Sequence, residues 1–234
     1  MIVNCNNKVT IKSFVEEVTK FTLCLGFEDR ARYLFRECIS EKEEDVEKVF
    51  TELRDLKNIF QEDLNFFFES DPAANSTDEI LTCYPGFQAI VYHRIAHILY
   101  KSGFKLQARM ISEDAHSSTG IDIHPGATIS HPFFIDHGTG IVIGETAIVG
   151  THCKIYQGVT LGALSLSKGQ LLKGNKRHPT IGNHVTIYAN ASILGGDVNI
   201  GDNVIIGGNV YLTKSVPSNY RVIIGEPSLT YISK

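Results

Sequence analysis

Aliphatic residues in the C-terminal half of this chain recur every six positions. They fall at Ile123, Ile129 and Ile135, then at Ile143, Val149, Ile155 and Leu161. The beat resumes at Ile181, Ile187 and Ile193, and again at Ile200, Ile206 and Leu212. A strand repeats every two residues and a helix every 3.6, so this beat fits neither. It fits a solenoid in which each hexad forms one short flat face and three hexads close a triangular coil. The aliphatic side chains then stack inside, coil on coil. Four positions after most of them stands a small or apolar residue suited to a corner: Ala127, Ala147, Cys153, Val159, Val185, Ala191, Val204, Val210 and Val216. Glycine often follows directly, at Gly144, Gly150, Gly182, Gly201 and Gly207, where turn dihedrals are expected.

The beat slips three times. Two extra residues lie between Ile135 and Ile143, a long loop separates Leu161 from Ile181, and one extra residue lies between Ile193 and Ile200. Each insertion must bulge at a corner. A regular solenoid has no pocket, so these irregularities are where function is expected.

The N-terminal half obeys different rules. Residues 28–63 hold 19 charged residues of 36, against 6 of 54 in 181–234, and 17 of the 20 glycines lie in 120–234. Segments such as "EEDVEKVFTELRDLKNIFQEDLNFFFES" and "GFQAIVYHRIAHILYKSGFKLQARMISEDAH" place apolar residues three and four apart, the helical spacing. Turn residues in "SDPAANSTDEI" and "CYPG" interrupt that pattern. The expectation is an α+β chain: a helical N-terminal domain over 1–117, then a parallel β-helix over 118–234.

Composition narrows the function classes. A net charge of −4 points to neither nucleic acid nor an anionic membrane surface. The start of the chain shows no signal-peptide pattern and no apolar run reaches bilayer length, so a cytoplasmic protein is expected. Five scattered cysteines without CxxC fit reduced thiols.

The repeat resembles the hexapeptide-repeat acyltransferases. A sharper resemblance, to serine O-acetyltransferases, rests on Asp71-Pro72-Ala73, "GFQAIVYHRIAH" (86–97), "IDIHPGA" (121–127), "DHGTGIVIGETA" (136–147), "GVTLG" (158–162), "RHP" (177–179) and "ILGG" (193–196). It spans roughly residues 65–227 in family order. The resemblance implies a left-handed parallel β-helix and transfer of acetyl from acetyl-CoA to the hydroxyl of L-serine, giving O-acetyl-L-serine and CoA, the first step of cysteine biosynthesis. It implies His137 as general base, with Asp122 orienting it. A serine hydroxyl needs such a base, and imidazole, with an ordinary pKa of about 6.5, suits the role. A carboxylate on the far ring nitrogen would fix the tautomer. The slip after Ile135 would lift His137 out of the wall.

By the same resemblance Asp71 and Asp136 would hold the acceptor's ammonium, and Arg177 with His178 its carboxylate. Gly162, Ala163, Ala189 and Gly208 occupy positions that would border CoA. Lys168, Lys173, Lys176 and Arg177 could face its phosphates or simply form a solvated loop. Members of the family trimerise, often pairing two trimers, with sites between subunits, so a trimer or hexamer is expected. L-cysteine, shaped like serine, is the expected feedback inhibitor. Many members end in an isoleucine tail that docks into O-acetylserine sulfhydrylase. Here Ile232 is not terminal, so no stable complex with that enzyme is expected.

The chain departs from the family pattern at Ala163, where a second glycine is usual, at Tyr188, where glycine is common, and in the length of the loop before Ile181. Three rivals remain: an acyltransferase with a sugar or antibiotic acceptor, a zinc-dependent carbonic anhydrase on the same fold, and a non-catalytic scaffold. Nine histidines raise the second, but His93 and His97 sit four apart on a helix without an evident third ligand, and no metal is expected.

Overall fold

A computed structural model describes residues 6–23, 28–165, 167, 169–225 and 232. The first half forms α1 (Asn6–Leu23), α2 (Glu28–Cys38), α3 (Glu43–Ser70), α4 (Thr77–Cys83), α5 (Pro85–Lys101) and α6 (Lys105–Thr119). On α3, Val46, Val49, Phe50, Leu53, Leu56, Phe60, Leu64 and Phe67 are buried, at the three- and four-residue spacing of one helical stripe. Two features differ from the sequence expectation. The stretch 86–116 is not continuous: it breaks at Gly103, whose φ of 97° is open to glycine. The segment expected as a plain turn contains α4, whose first turn is capped by Ser76, accepting from the Glu79 N–H at 3.1 Å. No helix among the described residues is long and apolar enough to cross a membrane.

The second half is a parallel β-helix with three faces. The first face stacks strands Asp122–Ile123, Val142–Ile143, Thr160–Gly162, Ser192–Leu194 and Tyr211–Leu212. The second stacks Thr128–Ile129, Ile148–Val149, Thr180–Ile181 and Asn199–Ile200. The third stacks Phe133–Asp136, Cys153–Tyr156, Thr186–Ile187, Ile205–Ile206 and Arg221–Val222. The expected columns form. Ile123, Ile143, Leu161, Ile193 and Leu212 are in register on the first face. Ile135, Ile155, Ile187 and Ile206 are in register on the third. The insertions leave these columns intact because each is expelled at a corner.

One corner residue was misplaced by the six-residue beat. Val216 bridges Ile200 and continues the second-face column, because the last coil takes a shorter path after Leu212.

The halves are joined by a polar anchor. Arg94 on α5 pairs with Asp63 on α3, and both side chains are buried. Asp63 also accepts from the Phe133 N–H at 2.9 Å, while Arg94 donates to the Ile129 carbonyl at 3.2 Å. The strand leading to His137 is thereby fixed to the helices. Gly86 completes the seam: a Cβ there would lie 2.3 Å from the Ile135 carbonyl oxygen.

Candidate active site

The expected site residues gather at two corners of the prism. At the corner between the third and first faces, the strand Phe133–Asp136 ends and the chain bulges through His137, Gly138 and Gly140, all with positive φ. His137 is largely exposed. Its Nδ1 lies 3.7 Å from Asp136 Oδ1. Asp122 opens the first face on the neighbouring coil, half-buried, with its N–H donating to the Ile141 carbonyl at 2.9 Å. The two residues share this corner, but no Asp122–His137 hydrogen bond or ion pair forms.

Asp71, at the C-terminal end of α3, reaches the same corner from the helical half. Its Oδ1 accepts from the Ala73 N–H at 2.8 Å and its Oδ2 from the Tyr84 hydroxyl at 2.6 Å. That bond is the main cause pushing the Tyr84 phenol up to about 12, and Asp136 adds to it. The Tyr156 phenol is raised by burial first, then by Asp136 and, less strongly, by Asp71. Both carboxylates therefore act on the same two tyrosines. Tyr156 lies in register with Asp136 and stacks on Tyr188, ring centroids 5.1 Å apart. Just past this pair the Asn209 N–H donates to the Ala189 carbonyl, so Ala189 and Gly208 lie on successive coils at the His137 corner.

Gly162, Ala163, Arg177 and His178 occupy the corner between the first and second faces. The Arg177 guanidinium donates to Glu145 Oε2 at 2.5 Å, and Tyr100 donates to Glu145 Oε1 at 2.7 Å. Although burial alone would raise it, these bonds hold the Glu145 carboxyl at about 2. His178 is buried against Gly144, where a Cβ would lie 2.1 Å from its ring. Burial, then the charges of Arg177 and Lys176, holds its pKa at about 4, so the ring is neutral near pH 7. Within one chain, then, Asp71 and Asp136 stand at a different corner from Arg177 and His178.

Sequence reasoning did not single out Tyr84, Tyr100, Glu145, Thr146 or Tyr156. Glu145 and Thr146 carried a legible signal: adjacent polar residues at a corner of an apolar repeat. Tyr84 and Tyr100 carried none, since their partners depend on docking of the helices, whereas Tyr156 meets Asp136 through strand register.

No family model matches the chain. A serine acetyltransferase of Staphylococcus epidermidis is 49% identical over 167 residues, covering 71% of this chain and 75% of that protein. The chain belongs to the serine acetyltransferase family.

A plasmid-borne serine acetyltransferase of Synechococcus elongatus is 50% identical over 184 residues, 77% of this chain. The match spans only 57% of that longer relative. Solved serine acetyltransferases share the fold. That of Entamoeba histolytica in complex with L-cysteine superimposes with a TM-score of 0.75 at 40% identity, covering 92% of this chain and 74% of that one. That of Neisseria gonorrhoeae in complex with serine gives 0.71 at 32%, covering 97% and 84%. That of Brucella abortus in complex with coenzyme A gives 0.69 at 29%, covering 96% and 84%.

Two of the loop cations, Lys176 and Arg177, are committed within the fold. Lys176 Nζ donates to the carbonyls of Thr146 at 2.8 Å and Pro179 at 3.1 Å, and also to that of His178. Arg177 is held by Glu145. Lys173 is exposed, and Lys168 lies outside the described residues, as do 226–231, 233 and 234 around Ile232. Of the two helix histidines raised by the metal reading, His93 is buried with its Nδ1 unpartnered, while His97 faces a backbone carbonyl. His97 Nδ1 lies 2.8 Å from the Pro125 carbonyl, His131 Nδ1 lies 2.6 Å from Glu62, and His184 stacks on His152. Among the described residues no three His, Cys, Asp or Glu side chains are grouped to hold a metal ion.

Proposed function

We propose that this protein transfers acetyl from acetyl-CoA to the hydroxyl of L-serine, giving O-acetyl-L-serine and CoA. The observation that carries this reading is the convergence of Asp71 and Asp136 beside His137. Two carboxylates near an exposed imidazole suit an acceptor that brings an ammonium together with a weakly acidic hydroxyl.

His137 takes the hydroxyl proton as the serine oxygen attacks the thioester carbon. The C–S bond then breaks, and the imidazolium returns its proton to the departing CoA sulfur. Asp122, on the adjacent coil, orients the ring and steadies the imidazolium once substrate draws His137 inward. Asp71 and Asp136 hold the ammonium. Arg177 and the neutral His178 hold the carboxylate. The pantetheine arm runs along Ala189 and Gly208 and meets Gly162 and Ala163 across the site.

Because these groups stand at two corners, one chain cannot surround a single serine. The site closes when the His137 corner of one subunit faces the Arg177 corner of another. With the assembly that the family resemblance implies, the protein is a trimer or a pair of trimers, with the helical domain (1–117) supplying contacts and Asp71, and the β-helix (118–234) the chemistry. L-cysteine, carrying the same ammonium and carboxylate, competes for the serine pocket. Relatives crystallised with cysteine, serine and coenzyme A support these ligands.

The test is thiol release from acetyl-CoA with L-serine, homoserine, a galactoside or no acceptor. Serine-dependent release, lost in His137→Ala, is expected. Release with another acceptor but not serine overturns the pocket assignment.

A further inference from the structure

Thr146 lies at the corner beneath His178, and its contacts fix where the ring proton must be. Thr146 Oγ1 accepts from the backbone N–H groups of Arg177 at 2.9 Å and His178 at 3.1 Å. Those groups can only donate, so the hydroxyl's own hydrogen is left for another partner. That partner is His178 Nδ1, 2.9 Å away. The Thr146 N–H donates to the same Nδ1 at 3.1 Å. A ring nitrogen that faces an obligate donor carries no proton. Nδ1 is thus the acceptor, and in the neutral ring the proton sits on Nε2. Nε2 has no partner among the described residues and, unlike Arg177 Nη1, is not sealed from solvent.

We infer that Thr146 is a positioning residue that locks His178 as the Nε2–H tautomer and sets that N–H beside Arg177 as a paired donor for the acceptor's carboxylate. The identity of that ligand rests on the acetyl-transfer reading above; the lock itself does not. The opposite tautomer would turn a lone pair on the carboxylate and repel it. The same hydroxyl fixes the backbone of both donor residues, so one side chain sets ring, proton and chain together.

Thr146→Val keeps the volume but removes three of the four contacts, leaving only the backbone N–H on Nδ1. Thr146→Ser restores the hydroxyl. The experiment is long-range ¹⁵N NMR of the full chain labelled in histidine, with the His178 signals identified from His178→Asn, alongside steady-state kinetics. The wild type is expected to show an unprotonated Nδ1 and a protonated Nε2 at pH 7. Thr146→Val leaves the backbone N–H as the sole donor on Nδ1, so it is expected to weaken the Nε2–H preference, read as shifted ¹⁵N signals, and to raise the KM for serine about tenfold, the size of one lost hydrogen bond to a charged group. The KM for acetyl-CoA stays unchanged, and Thr146→Ser recovers both signals and KM. A wild-type His178 protonated on Nδ1, or a folded Thr146→Val protein with unaltered serine KM, overturns the inference. A wild-type protein that acetylates no serine overturns the proposed function instead, and the ¹⁵N pattern still decides the lock.

Discussion

Arg94 grips Asp63 through two hydrogen bonds, Nε to Oδ2 at 2.6 Å and Nη2 to Oδ1 at 2.9 Å, with both side chains buried. The pair also holds the Phe133 N–H and the Ile129 carbonyl, on either side of the corner before the His137 strand. Removing one partner leaves the other charge buried and uncompensated, which costs about 3–5 kcal/mol. Asp63→Ala should lose stability of that size in urea unfolding. Asp63→Leu combined with Arg94→Met should recover much of it, because no charge then remains buried. A single variant as stable as the wild type would refute the anchor.

The separation of His137 and Arg177 onto different corners predicts shared sites. His137→Ala and Arg177→Ala proteins should each be inactive alone. Unfolded together and refolded, they should regain part of the wild-type rate, since some mixed sites draw His137 from one chain and Arg177 from its neighbour. No recovery in mixed oligomers, verified by mass, would place the whole site within one chain.

Ala189 and Gly208 leave the outer corner low beside His137. Ala189→Leu adds bulk there without entering the core, so stability should change by less than about 0.5 kcal/mol. The KM for acetyl-CoA should rise about tenfold or more, in line with the 1–3 kcal/mol that such steric changes carry. The KM for serine should not move. Equal rises in both would argue for general damage to the corner.

His178 sets an acid limit. Its folded pKa lies at about 4 against an ordinary 6.5, because it is buried and faces Arg177 and Lys176. The unfolded chain therefore binds the proton more readily. The stability His178 contributes is complete above about pH 6.5 and is lost as the pH falls towards 4. That loss is on the order of 3 kcal/mol. Urea midpoints at pH 7 and pH 4.5 should diverge less in His178→Asn than in the wild type. Identical divergence would show that His178 is not depressed.

The fold was largely legible because its signal is local and periodic. A side chain at position i of each hexad meets its counterpart one coil away whatever the rest of the chain does. Ile123, Ile143 and Leu161 could thus be stacked from spacing alone. The bulge at His137 was legible for the same reason, as an insertion that must leave a filled core. Val216 was not, since the final coil abandons the beat.

Polar partnerships have no period. Arg177 and His178 reach Glu145 and Thr146 only because the loop over 163–179 rejoins its own coil directly over the 144–147 corner of the coil before. Tyr84 meets Asp71 only because α5 docks against the end of α3. Sequence by itself determined the β-helix, its inward residues and the corner that bulges at His137. Tertiary structure alone decided which polar groups meet and which stand apart. Stacking of apolar side chains needs only the right spacing, whereas a hydrogen bond needs two particular atoms within about 3 Å, and that depends on the path of every loop and helix between them.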